Sequence, residues 1–200
     1  IIDITRRATI ARRVIPVYCG AAFKNKGIQR LLDGVIRFLP SPSDLPPVIG
    51  THPSGDEHAR TATASDPFAA LAFKITADRH MGKLTYIRVY SGKVAAGTVV
   101  YNSTQQTDQR IGRILRMHAN RQESIEEARG GDIVAVVGLQ RTRTGDTICC
   151  ADNPIVLEAI EFPAPVMSIS ISPESRMDDE KMTQALHALA DEDPTFVVGH

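Results

Sequence analysis

Glycine punctuation constrains the middle of this chain more than any other feature. Between Pro67 and Cys150, runs too short for helices alternate with turns at Ser91–Gly92, Gly97, Gly130–Gly131 and Gly145. Phe68–Thr76, Leu84–Tyr90, Thr98–Tyr101, Ile111–Met117, Asp132–Val137 and Asp146–Cys150 read as strands, rich in β-branched and apolar residues. Six or more short strands with no helix between them predict a β-barrel or a sandwich. Barrel closure removes exposed edges, so a barrel is expected over 67–153.

The flanks differ. Val14–Cys19 is a short apolar run between Arg12–Arg13 and Gly20, and predicts a buried strand. Ile28, Leu31, Leu32, Val35, Ile36 and Leu39 then recur at helical spacing until Pro40 stops them. Strand, loop and helix over 1–42 form the end of an α/β unit, and the first dozen residues read as the tail of a helix. The stretch 43–66 is rich in proline, serine and threonine and predicts an extended linker.

Residues 154–200 read as a linker and the start of a third domain. Val166–Ser172 is a strand candidate, and Asp178–Asp179–Glu180 opens a helix with its negative side chains at the positive dipole end. Met182, Ala185, Leu186 and Leu189 make the buried stripe, Pro194 follows, and Phe196–Val198 reads as another strand. The expected fold is mainly β: a barrel flanked by the α/β end of one domain and an incomplete α+β (βαβ) third domain. A chain opening without Met and stopping after β-α-β has the pattern of a fragment.

Composition narrows the function classes. Hydrophobic residues at 42% and charged residues at 23% fit a globular chain, so disorder throughout is not expected. No stretch nears the ~20 apolar residues of a membrane span, and Ile1–Ile4 has no leader character, so no membrane partner is expected. Three cysteines without C-x-x-C spacing exclude a disulfide scaffold or thiolate zinc site and suit a reducing cytosol. The net charge of zero conceals an asymmetry. Residues 1–50 carry 8 Lys/Arg against 3 Asp/Glu and residues 66–153 carry 12 against 9, whereas residues 154–200 carry 2 against 9. A mildly basic body fits either an anionic partner or an ordinary solvated surface.

No complete catalytic constellation is present. Met81–Gly82–Lys83–Leu84 lacks both the first glycine and the Mg²⁺-holding hydroxyl of a phosphate loop. Asn25–Lys26–Gly27–Ile28 begins like a guanine-reading N-K-x-D, but Ile28 stands where the Asp is needed. The six histidines make no ligand pair on one face, and Cys149–Cys150 reads as strand filler. Arg110, Arg113, Arg116, His118 and Arg121 crowd one strand candidate, but period two places Arg113 opposite Arg110 and Arg116. These arginines either contact backbone phosphates or pair with surface carboxylates.

Several longer runs carry a family resemblance. Pro16–Val17–Tyr18–Cys19–Gly20–Ala21–Ala22–Phe23–Lys24–Asn25–Lys26–Gly27 and Leu39–Pro40–Ser41–Pro42 resemble the end of the GTPase domain of bacterial elongation factor G, a translational GTPase family. Gly82–Lys83–Leu84–Thr85, Arg88–Val89–Tyr90–Ser91–Gly92, Gly112 through Asn120, and Thr144–Gly145–Asp146–Thr147 resemble its second domain. Met182 through Leu189 and Glu192 through Phe196 resemble the start of its third. The resemblance covers nearly the whole chain apart from 51–66.

The resemblance implies part of a cytoplasmic ribosomal translocase whose full-length form uses GTP and Mg²⁺. The phosphate loop, switches and N-K-x-D of such a factor are not in this sequence, so the chain alone is expected to take no cofactor and be inactive. Gly20, Ala21, Ala22 and Phe23 correspond to the guanine loop, where the family usually has Ser at the place of Ala21. Implied partners are small-subunit ribosomal RNA, with Arg88, Arg113 and Arg116 as candidate contacts, and the remaining domains of the factor. Arg141, Arg143, Gly145 and Asp146 belong to a loop that faces those domains. The alternatives are a sister translational GTPase of release-factor or ribosome-protection type, or a stand-alone β-barrel interaction module.

Overall fold

The computed structural model describes every residue except 79, 119, 120, 159, 161, 174, 194 and 200, and all but the side chains of 176 and 177. The chain forms two units, Ile1–Pro46 and Pro47–His200.

In the first unit, helix α1 (Ile2–Ile10) and helix α2 (Ile28–Phe38) are accompanied by single 3-10 turns at Ala22–Lys24 and Pro42–Asp44. Arg6 of α1 joins these parts. Its guanidinium donates to the carbonyls of Arg37 (3.0 Å) and Leu39 (3.1 Å), where a helix end leaves acceptors unpaired, and pairs with Asp44. Both predicted helices are present. The predicted buried strand is not: Val14–Cys19 has no strand pairing, and Ile15 and Val17 are about four-fifths exposed. Among the described residues no strand lies beside this run, and an apolar run without a ladder partner does not form a sheet. The apolar stripe of α2 is likewise exposed. Its one buried residue is Gly34, where a Cβ would lie 2.5 Å from the Tyr18 hydroxyl.

The second unit runs in the order β1 (Val48–Thr51), β2 (Glu57–Arg60), β3 (Ala69–Asp78), β4 (Gly82–Ser91), β5 (Lys93–Ala95), β6 (Val99–Asn102) and β7 (Thr107–Arg110). It continues with β8 (Arg113–His118), β9 (Arg121–Ile125), β10 (Glu127–Arg129), β11 (Ile133–Val137), β12 (Thr147–Cys149), β13 (Val156–Leu157) and helix α3 (Arg176–Glu192). Eight strands form one antiparallel sheet in the order β7-β6-β12-β3-β4-β11-β8-β9, and β5 pairs separately with β10. The sheet curls into a barrel around Ile87, Val89, Val100, Ile114, Val134 and Ile148, to which β5 and β10 add Val94 and Ala128. All six predicted strands are found here. Of the four further strands, β7, β9 and β10 are mostly polar and β5 is only three residues long, so no apolar alternation marks them.

The proline-rich stretch 43–66 is more than an extended linker. It holds the β1–β2 hairpin, and β13 pairs with the other edge of β1 through Gly50↔Leu157 and Thr51↔Val156. Its prolines punctuate without breaking a ladder: Pro46 and Pro47 precede β1, and Pro53 sits in a turn closed by His52 N–H to Asp56 O (2.8 Å). Leu157 and Val48 join Leu71, Cys149 and Ile155 in a second core, with Tyr90 and Tyr101 packed against it. At the β4–β5 turn Gly92 has φ +67°, and a Cβ there would lie 2.6 Å from Asp66 O and Phe68 N; only glycine fits.

The tail departs from expectation. Neither Val166–Ser172 nor Phe196–Val198 forms a strand, and Val166 and Ile169 are exposed. Helix α3 is present, but its stripe is not buried: Met182 and Leu186 are half-covered, while Ala185 and Leu189 are exposed. The helix lies beside β3, which covers it only in part. Pro194, the expected stop, is outside the described residues.

Two truncations test the two cores. Ile87→Ala and Leu157→Ala should each cost about 2–5 kcal/mol, because each leaves a cavity in a packed cluster. Leu189→Ala on α3 should cost less than about 0.5 kcal/mol. Urea unfolding of the three variants measures this. A negligible effect of Leu157→Ala would separate 48–60 and 156–157 from the barrel's stability.

Candidate functional site

The residues Gly20–Phe23 lie in a tight loop between Cys19 and Gly27. Ala21 and Lys26 exchange backbone hydrogen bonds (Ala21 N to Lys26 O 3.0 Å; Lys26 N to Ala21 O 3.1 Å). The chain can reverse this sharply because Asn25 (φ +50°) and Gly27 (φ +79°) take left-handed conformations. A Cβ on Gly20 would lie 2.7 Å from Lys26 O, so the glycine permits the close approach. The amides of Ala22 and Phe23 begin a 3-10 turn, where N–H groups have no partner within the turn. All four residues are exposed, including the whole Phe23 ring.

The three strand arginines occupy two faces. Arg88 pairs in register with Ile133, and Val137 lies between Leu84 and Arg113, so Arg88 and Arg113 share the outer face of β4-β11-β8. Arg88 is half-buried, with its guanidinium 4.9 Å from the centroid of the Tyr90 ring. Arg113 is exposed. Arg116 points to the opposite face, in register with Glu123 of β9 and beyond the Ile114–Ile125 pair that packs on the core. None of the three has a carboxylate within ion-pair distance among the described residues. Glu123 instead pairs with His118 (3.9 Å), and Glu127 with Arg129 (2.8 Å) and Lys93 (3.3 Å). Hydrogen bonds from Arg129, then Lys93, hold the Glu127 carboxyl below its usual range. Burial pushes the Cys149 thiol up, which fits a filler role rather than a nucleophile.

Residues 138–147 are fixed by a buried polar network. The Asp146 carboxylate, 3% exposed, accepts from the Asn102 amide (2.9 Å), the Gln105 amide (3.1 Å) and the Arg143 N–H (2.8 Å). Thr142 is fully buried, and its hydroxyl accepts from the Gln109 amide (2.9 Å), whose oxygen accepts the Arg141 N–H (2.9 Å). Arg141 and Arg143 are therefore held by their backbones while their side chains stay exposed. The loop returns to the barrel through Gly145 N–H to Ala72 O (2.7 Å) and Ala72 N–H to Asp146 O (2.9 Å). At its start, Gly138 has φ +116°, and a Cβ there would clash with Arg110 O.

The profile described as Elongation factor G domain 2 matches residues 67–151, and that described as Elongation Factor G, domain III, matches 162–200. The two follow one another in the same order and together span well over half of the sequence. The chain belongs to the elongation factor G family. A crystal structure of a protein from Thermus thermophilus superposes with a TM-score of 0.73 at 23% identity, over 97% of this chain and 27% of that one. The chain thus spans about a quarter of that protein's length, and the likeness shows the fold.

Within the elongation factor G match, Arg88, Arg113, Arg116 and the 138–147 loop fall in domain 2, and α3 falls in the domain III portion. Gly20–Phe23 lies outside both matched ranges. Of the run Gly112–Asn120, the last two residues lie outside the described set. Sequence reasoning passed over Asn102, Gln105, Gln109 and Thr142. The signal was there for Asn102: period two puts it on the same face as the core residue Val100. Among the described residues no three His, Cys, Asp or Glu side chains gather as metal ligands, and no helix is long and apolar enough to cross a membrane.

Asp146→Ala leaves three donors without their acceptor, at about 1–3 kcal/mol for each that stays buried. Urea unfolding should show a loss of at least about 3 kcal/mol, against less than about 0.5 for Arg141→Ala or Arg143→Ala. Acid dependence is expected from Asp66 and Asp78. Thr61 side-chain and backbone bonds lower Asp66, and the His80 and Met81 amides lower Asp78. Their stabilisation is complete above the unfolded carboxylate range, near pH 4, and is lost as pH falls through the depressed folded values. The urea midpoint should stay flat from pH 7 to 5 and fall below 4, less steeply in Asp78→Asn.

Proposed function

We propose that this chain is the ribosome-facing part of a translocase-type GTPase, coupling a nucleotide-dependent domain to small-subunit ribosomal RNA. The observation that carries this is the ordered pair of elongation factor G domains over 67–151 and 162–200. In this reading the factor works in the cytoplasm, and the 138–147 loop meets its other domains. Arg88 and Arg113, on one face of the barrel, contact RNA phosphates; Arg116 approaches from the other face. Guanidinium forks match phosphate oxygens, and such contacts position without reading sequence.

The Gly20–Phe23 loop fits one edge of a guanine base. The Ala22 and Phe23 amides at the start of the 3-10 turn are free to donate to a base oxygen, and a backbone contact tolerates Ala21 in place of serine. GTP would supply a hydrolysable γ-phosphate, but this sequence has no phosphate-loop motif to cradle it and so lacks that motif's hydroxyl for Mg²⁺. A few hydrogen bonds, each worth about 1 kcal/mol, do not reach the roughly 4 kcal/mol of a millimolar complex. Calorimetry should therefore detect no micromolar GTP binding by the chain, and turnover scaling with pure protein would overturn the reading.

Sedimentation with small ribosomal subunits at two salt concentrations tests the RNA contact. Each arginine neutralising one phosphate contributes about 0.7–0.9 to the slope of log affinity on log salt. Arg88→Ala and Arg113→Ala should each weaken binding and flatten the slope by somewhat under one unit. Unchanged affinity in both would remove the outer face of β4-β11-β8 from the contact.

A further inference from the structure

The loop bearing Arg141 and Arg143 borders a groove of about 350 Å³ at one end of the barrel, within the size range of small-ligand sites. Lys83, Arg141 and Arg143 line it with the amides of Gln105 and Gln140, and its one acidic residue is Asp191 of α3. Thr142 is buried between the two arginines, both of which line the groove. Neither arginine has a carboxylate within ion-pair distance among the described residues. Lys83 is the anchored cation. Its side chain is only 13% exposed, and its ammonium donates to Gln140 O (3.0 Å) and Asp191 Oδ2 (2.8 Å). A cation this covered needs an anion, and an ammonium has three donors, of which these bonds use two.

Asp191 is a replaceable anion. It sits on the last turn of a helix that lies beside β3 with no fully buried side chain among those described, and the nearby hydrogen bond is the Ala77 N–H donating to Glu192. A phosphate group offers more acceptor oxygens and more charge than one carboxylate, and two guanidinium forks stand beside Lys83 to receive them.

We propose that this groove is a phosphate-binding site formed by Lys83, Arg141 and Arg143, and that the Asp191 carboxylate is its resting ligand. An incoming phosphate displaces Asp191 from Lys83 and frees the end of α3 from the barrel. The site lies at the barrel end, apart from the outer face that carries Arg88 and Arg113, and does not depend on their RNA contact.

Calorimetric titration of the whole chain with inorganic tripolyphosphate, and separately with a 12-nucleotide single-stranded RNA, tests the site at low salt. Asp191→Asn, which removes the competing charge, should bind tripolyphosphate about tenfold more tightly, and Arg141→Ala/Arg143→Ala at least about tenfold more weakly. Saturation should also speed hydrogen exchange at the Ala77 amide as Glu192 leaves it. RNA that binds more tightly than tripolyphosphate and responds to the same substitutions makes an RNA backbone the source; the reverse order makes it a free polyphosphate. Unchanged affinity in the double arginine variant, with wild-type urea unfolding, overturns the site. Unchanged affinity in Asp191→Asn overturns the resting ligand.

Discussion

One buried carboxylate holds together the loop that carries Arg141 and Arg143. Asp146 accepts hydrogen bonds from the end of β6, from the turn after it and from the backbone of its own loop, while its main chain bonds to Ala72 in β3. A charge this covered is tolerated only because several donors replace water, and each of those donors needs Asp146 in return. The consequence is geometric. Arg141 and Arg143 stand on a loop whose backbone is fixed from beneath, so two flexible side chains share a common origin. A looser loop would spread the same two charges over solvent and lose the entropy of gathering them at every encounter.

The sequence revealed those elements whose residues answer to a nearby core. Leu84–Tyr90 and Ile111–Met117 alternate because one face meets Ile87, Val89 and Ile114 packed at the centre. Thr107–Arg110 and Arg121–Ile125 have no such alternation; they became strands because β6 and β8 offered open ladder edges beside them. The converse failures have the same cause. Val14–Cys19 and Val166–Ser172 have the composition of strands, but composition supplies a face and not a partner. Proline content misled in the other direction at 43–66, since prolines at strand borders and turns are compatible with a hairpin.

The candidate site was legible to different depths. Period two alone separated Arg113 from Arg116, and the register places them on opposite faces. That Arg88 shares the face of Arg113 depends on β11 lying between their strands, a long-range pairing that local patterns do not encode. Lys83 was visible in a failed phosphate-loop motif and in the Gly82–Thr85 run, neither of which points to its partners. Its importance comes from residues 57 and 108 positions away, Gln140 and Asp191.

The charge asymmetry of the sequence acquires a physical meaning in the attachment of α3. A 17-residue helix is marginal in water by itself, and this one buries no complete apolar stripe against the barrel. Apolar burial therefore cannot choose where it docks. Seven excess negative charges on residues 154–200 face a barrel with a small positive excess, which favours approach but is diffuse and screened over about 10 Å. Position must come from a contact that is short and partly shielded. Lys83 supplies it: the ammonium is largely covered, it is aimed by the Gln140 carbonyl, and it meets Asp191 in the last turn rather than the carboxylates of the first. On the proposal above, a phosphate that takes Lys83 removes this shielded contact, and α3 then keeps its place beside β3 through partial cover and the bond from the Ala77 N–H to the Glu192 carboxylate.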